Sequence, residues 1–229
     1  MKKCIFVVCF FLIALTMHAR AIREEHELTG EKPRESYAFG MVLGDDLRQA
    51  GLDLDYAAFI DGIRDAMEGG ETRLSVDEAF ELIDSALENA MNRQLVDLRN
   101  AEMQFLTENA AREGIIVTES GLQYMVLEAG DGPKPTADDT VLVHFEGTLI
   151  DGMVFSTSYH DEYPERIQIS DDIPGLIEAL QLMNTGSTYQ VYIPSFLAFE
   201  DYGVGNIIPP FSTLIFKIEL HGIVTDDND

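Results

Sequence analysis

Cysteine is almost missing from this chain of 229 residues: there are two, Cys4 and Cys9. Both lie in the apolar run CIFVVCFFLIALTM, Cys4 to Met17, which follows Met1-Lys2-Lys3 and precedes Ala19-Arg20-Ala21. A basic start, a greasy centre too short to span a bilayer comfortably and a small-residue end are expected to form a secretory signal cleaved after Ala21; an uncleaved anchor is the alternative. With residues 1–21 gone, no thiol is left for a disulfide, a zinc site or a nucleophile, so stability must come from packing. Basic residues are scarce too, 15 against 41 acids, for a formal net charge of −26. Cleavage would remove Lys2, Lys3 and Arg20 but no acid, taking the charge to −29. Such a surface excludes proteins that seek nucleic-acid phosphates or anionic lipid. Metal-ligand spacings are also lacking: there is no Asp-rich loop with a distal glutamate and no His/Glu pair at zinc spacing. Neither a metal nor a cofactor is expected.

What is present divides by periodicity. After a polar linker, residues 22–35, the pattern SYAFGMVLGDDLRQAG is helical, with Ser36 as candidate N-cap and Gly51 beyond the end. Gly40 and Gly44 share one face of this helix, and interior glycine costs about 0.5 to 1 kcal/mol against alanine, so the pair points to close approach of another helix. A second helix is expected over Asp55 to Glu68, ended by Gly69-Gly70. A third starts at the capping box Ser75/Glu78 and is expected to run towards Gly114. Its apolar positions are dense at Phe80, Ile83 and Leu87 and thin beyond Arg93, which predicts a helix that begins in a core and continues as a solvated stalk. Short amphipathic helices bury little alone, so residues 36–92 are expected to form a helical dimerisation domain and residues 93–117 a stalk and junction; a monomeric helical cap is the alternative.

From Thr118 the period becomes two. The runs ESGLQYMVLEAG, DTVLVHFEGTLIDGMVFSTS, TYQVYIPS and FSTLIFKIELHGIV alternate as strands, with a hairpin at Asp151-Gly152 and one short helix near Leu176 to Met183. Residues 118–224 are therefore expected to be an antiparallel sheet wrapped around one helix, so the fold class is α+β, and residues 225–229 an acidic tail. Pro209 and Pro210 cannot donate ladder bonds, so they mark a stiff loop that feeds the last strand.

In order, TESGLQY, VHFEGTLIDGMVF, DIPGLIEALQLMNTGS, YIPSFLAF and IIPPFSTLIFKIEL resemble the FKBP-type peptidyl-prolyl cis-trans isomerases. The helical half and the junction FLTENAAREGIIVTESGLQY are similar to the exported Mip-like branch of that family, and the likeness runs from about Ser36 to Val224. The resemblance implies a homodimer formed through the N-terminal helices, location in the periplasm or cell envelope of a bacterium, and proline-containing unfolded or partly folded polypeptides as partners. It also implies an apolar pocket lined by Phe145, Phe155, Ile173, Leu176, Phe199 and Phe216, with Ser156, Ile167, Asp172, Tyr202, Ile207 and Ile208 contacting substrate. The backbone N–H of Ile173 would hold a substrate carbonyl. Chemically an apolar pocket suffices, because the barrier to X-Pro rotation is amide resonance and yields to desolvation and a grip on the twisted bond.

Several positions depart from the family pattern. Phe145 and Phe199 stand where tyrosine is usual, Ser156 where aspartate is common, Leu176 where tryptophan forms the floor, and Asp172 where an aliphatic residue is usual. Weakened catalysis is the expectation, with a chaperone that holds apolar segments without useful turnover as the alternative. Tyr159, Tyr163 and Tyr202 are candidate substitute hydroxyls. His144 is read as a sheet-face residue, and Asp171-Asp172 as neighbours whose side chains diverge, unsuited to paired carboxylate catalysis.

Overall fold

The computed structural model describes residues 28–224. The expected signal sequence, the first residues of the polar linker and the acidic tail lie outside them. The chain falls into two units that part between Gly70 and Glu71.

In the first unit, helix α1 spans Glu31–Gln49 and helix α2 spans Tyr56–Glu68. The start of α1 corrects the sequence expectation. Ser36 is not the cap but lies inside the helix, where its Oγ donates to the Lys32 carbonyl at 2.9 Å. Pro33 falls in the first turn, where its missing N–H leaves no bond unmade, so the helix starts earlier than a polar-cap rule suggests. At the other end Gly51, at φ 69°, reverses the chain, and Leu52 N–H donates to the Leu47 carbonyl at 3.1 Å. Asp55 caps α2 by accepting from Ala57 and Ala58 N–H, both at 2.9 Å, and Gly69 ends it in the left-handed region. Neither helix buries a residue: Phe39 is 79% exposed and Met67 83%.

The second unit begins with helix α3, Val76–Ala110, whose 35 residues make about 52 Å of rod. Both halves of the expected capping box form: Ser75 N–H donates to Glu78 Oε2 at 2.9 Å, and Glu78 N–H donates to Ser75 Oγ at 3.2 Å. Within the single chain, burial on α3 lies mainly at its C-terminal end. Phe80, Ile83 and Leu87 are exposed, while the C-terminal turns carry buried Glu102 and Asn109. A polar network makes this docking. Asn109 Nδ2 donates to Gln123 Oε1 at 2.9 Å, Gln123 Nε2 donates to the Leu106 carbonyl at 2.9 Å, and Arg112 Nη1 donates to Asn109 Oδ1 at 2.8 Å. Hydropathy counting is blind to a helix end held by amides and a carboxylate.

Seven strands follow: β1 Ile116–Val117, β2 Gln123–Glu128, β3 Thr140–Thr148, β4 Val154–Thr157, β5 Glu165–Gln168, β6 Thr188–Ile193 and β7 Leu214–Ile223. They pair antiparallel in the order β1-β2-β6-β7-β3-β4, and β5 joins the same edge of β3 as β4, further towards the N-terminal end of β3. Helix α4, Pro174–Leu182, packs on the sheet and buries Gly175, Ala179 and Leu180. The alternation of β3 and β7 places Val141 and Val143 with Leu214, Phe216, Ile218 and Leu220 in one buried cluster. Each fully buried aliphatic side chain contributes about 1.5 to 3 kcal/mol, so packing stabilises this unit with no cysteine among the described residues. The hairpin forms at Asp151-Gly152 with Gly152 at φ 87°, and Leu149 N–H donates to the Met153 carbonyl at 2.9 Å. Strand β7 starts at Leu214, three residues after the expected Phe211, whose φ of 54° keeps it out of the ladder.

Candidate active site

A hollow of about 300 Å³ opens between the sheet and the N-terminal part of α4, lined by Val143, Phe145, Ile167, Asp172, Leu176, Leu180, Phe216 and Ile218. Four elements build it. Strand β3 supplies Val143 and Phe145, two residues apart and hence on one face; β7 supplies Phe216 and Ile218 by the same rule; β5 brings Ile167; α4 brings Leu176 and Leu180. Phe216 forms the rigid wall at 5% exposure, 6.1 Å from the Phe145 ring centroid and 5.5 Å from that of Phe155, which meets it edge to face. Gly147 makes that cluster possible: a Cβ there would stand 2.7 Å from Phe155 Cζ and 2.9 Å from Phe216 Cε1.

Of the twelve residues named from sequence, Phe145, Ile167, Asp172, Leu176 and Phe216 line the hollow. Phe155 braces Phe216, and Ser156, the next residue of β4, falls on the other side of the pleat. Ile173, Phe199 and Ile208 pack against the core beside the hollow. Ile207 and Tyr202 point outward, Tyr202 at 82% exposure. Val143, Leu180 and Ile218 were not named, although the alternation that flags Phe145 and Phe216 also reaches Val143 and Ile218.

The loop ahead of β7 is held as the two prolines require, with its bonds made by other residues. Val204 N–H donates to the Ile208 carbonyl at 2.7 Å, Phe211 N–H to the Glu200 carbonyl at 2.9 Å, and Ser212 Oγ to the Pro209 carbonyl at 2.7 Å. Gly203, at φ 61°, sits where a Cβ would run into the Ile208 carbonyl oxygen. Glu200 and Phe211 both adopt the left-handed region, a cost of about 1 kcal/mol each that the surrounding bonds must offset.

Two polar features mark the site. The Ile173 N–H, at the N-cap of α4, donates to Asp172 Oδ1 at 2.8 Å. Burial pushes the Asp172 carboxyl above the usual carboxylate range, and this hydrogen bond partly opposes the shift. Outside the hollow, buried Glu102 of α3 accepts from Ser195 N–H at 2.6 Å and from Ser195 Oγ at 2.9 Å, fixing the short turn Ser195–Leu197 just ahead of Phe199. On the outer face His144 stacks on Tyr159, and Tyr159 donates to Glu219 Oε1 at 2.6 Å, so that hydroxyl is engaged away from the hollow. Among the described residues no group of three or more metal-ligating side chains gathers.

An apolar hollow between an antiparallel sheet and one short helix is the arrangement of a prolyl isomerase domain of the FKBP type. Residues 132–221 match the family model for FKBP-type peptidyl-prolyl cis-trans isomerase, and residues 32–126 match the domain amino terminal to it. The chain belongs to this family and is a peptidyl-prolyl cis-trans isomerase. It is 37% identical over 209 residues to the outer membrane protein MIP of Legionella longbeachae, covering 88% of this chain and 90% of that one. With the FKBP-type 22 kDa peptidyl-prolyl cis-trans isomerase of Escherichia coli K12 it shares 42% identity over 189 residues, 81% of this chain and 92% of the relative. The crystal structure of FkpA from Escherichia coli superposes with a TM-score of 0.65 at 32% identity, covering 85% of this chain and 97% of that chain.

Proposed function

We propose that the protein is an exported foldase of the bacterial envelope, a homodimer through its N-terminal helices, that turns X-Pro bonds of unfolded or partly folded polypeptides in the hollow bounded by Phe145, Leu176 and Phe216. The observation that carries this reading is the hollow itself, an apolar concavity with Asp172 as its single polar lining residue. A proline ring entering it leaves water, and its imide nitrogen and carbonyl lose the solvation that favours the planar form. Rotation about the bond then costs less than the roughly 18–20 kcal/mol of a resonant amide in water. The Ile173 N–H orients the substrate by donating to a carbonyl oxygen in place of Asp172 Oδ1, and no nucleophile or proton carrier is required. Phe155 and Ile208 hold the walls, and Phe199 the adjoining flank.

Catalysis is slower than in family members with a full set of polar handles. Phe145 and Phe199 offer no hydroxyl, and each such hydrogen bond is worth about 0.5 to 1.5 kcal/mol, up to roughly tenfold in rate. The exposed apolar side chains of α1 and α2 support the dimer, since Gly40 and Gly44 have open space where a Cβ would stand and a second copy would cover Phe39 and its neighbours. Among the described residues no helix is long and apolar enough to cross a membrane. The missing hydroxyls also favour a second reading, a chaperone that holds apolar segments without useful turnover. A protease-coupled assay on proline tetrapeptides, run beside the aggregation of a denatured client, separates the two. The isomerase reading expects accelerated turnover; suppressed aggregation with no acceleration at micromolar protein favours the chaperone.

A further inference from the structure

Seven of the eight residues around the hollow are apolar, and the eighth is an acid. The Asp172 carboxylate is half-buried, and its one hydrogen bond is to the Ile173 N–H at 2.8 Å. Nothing else opposes its desolvation: no cationic side chain of the described residues faces it. Resting on the reading of the hollow as the proline site, a conflict follows. When a substrate carbonyl takes the Ile173 N–H, Asp172 loses its only partner while the incoming peptide removes more water from it. A half-buried carboxylate without a partner is costly, and a cation brought by the substrate is the group that offsets the cost.

We propose that Asp172 is a specificity-determining residue that selects clients with lysine or arginine adjoining the proline. A cationic side chain lying along the mouth of the hollow takes the carboxylate as it leaves the Ile173 N–H, and its aliphatic stem covers the apolar rim. An apolar neighbour leaves the acid stranded, and an acidic neighbour adds repulsion. The net charge of the chain also attracts cationic peptides, but as a diffuse field that one of 41 acids scarcely alters. The local contribution is separable for that reason.

The test uses the full-length protein and proline tetrapeptides with lysine, leucine or glutamate placed before or after the proline, followed by exchange NMR. The wild-type protein is expected to favour lysine over glutamate by about tenfold in kcat/KM on at least one side. Asp172→Asn and Asp172→Val should shrink that ratio to about threefold or less, and Asp172→Val should raise turnover of the leucine peptide. Asp172→Asn keeps the shape and the acceptor to Ile173, so it preserves the test if the valine variant folds poorly. A ratio unchanged in the folded variants, or no preference in the wild type, overturns the role of Asp172. No turnover of any peptide by the wild type overturns the underlying reading of the hollow instead.

Discussion

Replacing Glu102 with alanine should destabilise the second unit by about 2 to 5 kcal/mol, more than any other single side chain of α3. The carboxylate is 7% exposed and accepts two hydrogen bonds from one residue, Ser195, which is itself 4% exposed. Truncation leaves a buried N–H and a buried hydroxyl without partners, and each such group costs about 1 to 3 kcal/mol. Relaxation of the helix end and entry of water recover part of that sum, hence an upper bound of about 5 rather than about 6 kcal/mol. Against a whole-domain stability of about 5 to 15 kcal/mol the loss is large. Urea unfolding of the full chain, followed by far-UV circular dichroism, reads it as a fall in midpoint. Hydrogen exchange should show the last three turns of α3 opening before the sheet does. Glu102→Gln keeps one acceptor for the Ser195 N–H and is expected to cost about half as much. A Glu102→Ala midpoint within about 0.5 kcal/mol of wild type, which is the size of a neutral surface change, would refute the reasoning that a buried latch joins the helix to the domain.

Asp172→Asn should raise stability near neutral pH by up to about 1 kcal/mol, because the amide removes a charge that burial disfavours. The carboxyl is held above its ordinary range in the folded chain, so ionising it costs native stability as pH rises. The gain must vanish as pH falls below that range, where both states are protonated, and thermal melts from pH 3 to 7 check the convergence. Gly40→Leu with Gly44→Leu should convert a dimer to monomer in analytical ultracentrifugation by filling the face where the proposed partner helix approaches; an unchanged mass contradicts that account of the two glycines.

Much of the sheet domain was legible because its signals are local. Alternation in β3 and β7, the Asp151-Gly152 turn and the capping box at Ser75 each follow from a few neighbouring side chains, and each is present in the structure. Strand β5 was missed because ERIQ is four residues with one apolar position, too short to show a period, yet it carries Ile167 to the hollow. The docking of α3 was missed for a different reason. Glu102, Asn109 and Gln123 read as solvent-facing residues until their partners are known, and those partners lie up to 93 residues away. The hollow lay between these cases: its aromatic members stood out by family likeness, while Val143 and Ile218 passed for ordinary core.

The most direct test is the rate at which catalytic amounts of protein interconvert the cis and trans forms of a proline tetrapeptide, measured for the wild type and for Phe145→Ala. Phe145 lines the hollow but is only half-buried, so its loss opens the pocket while leaving the buried wall of Phe216 in place. Acceleration by the wild type that falls at least tenfold in a variant with an intact near-UV spectrum is the predicted result. Equal acceleration by both proteins would contradict the placement of the chemistry in this hollow.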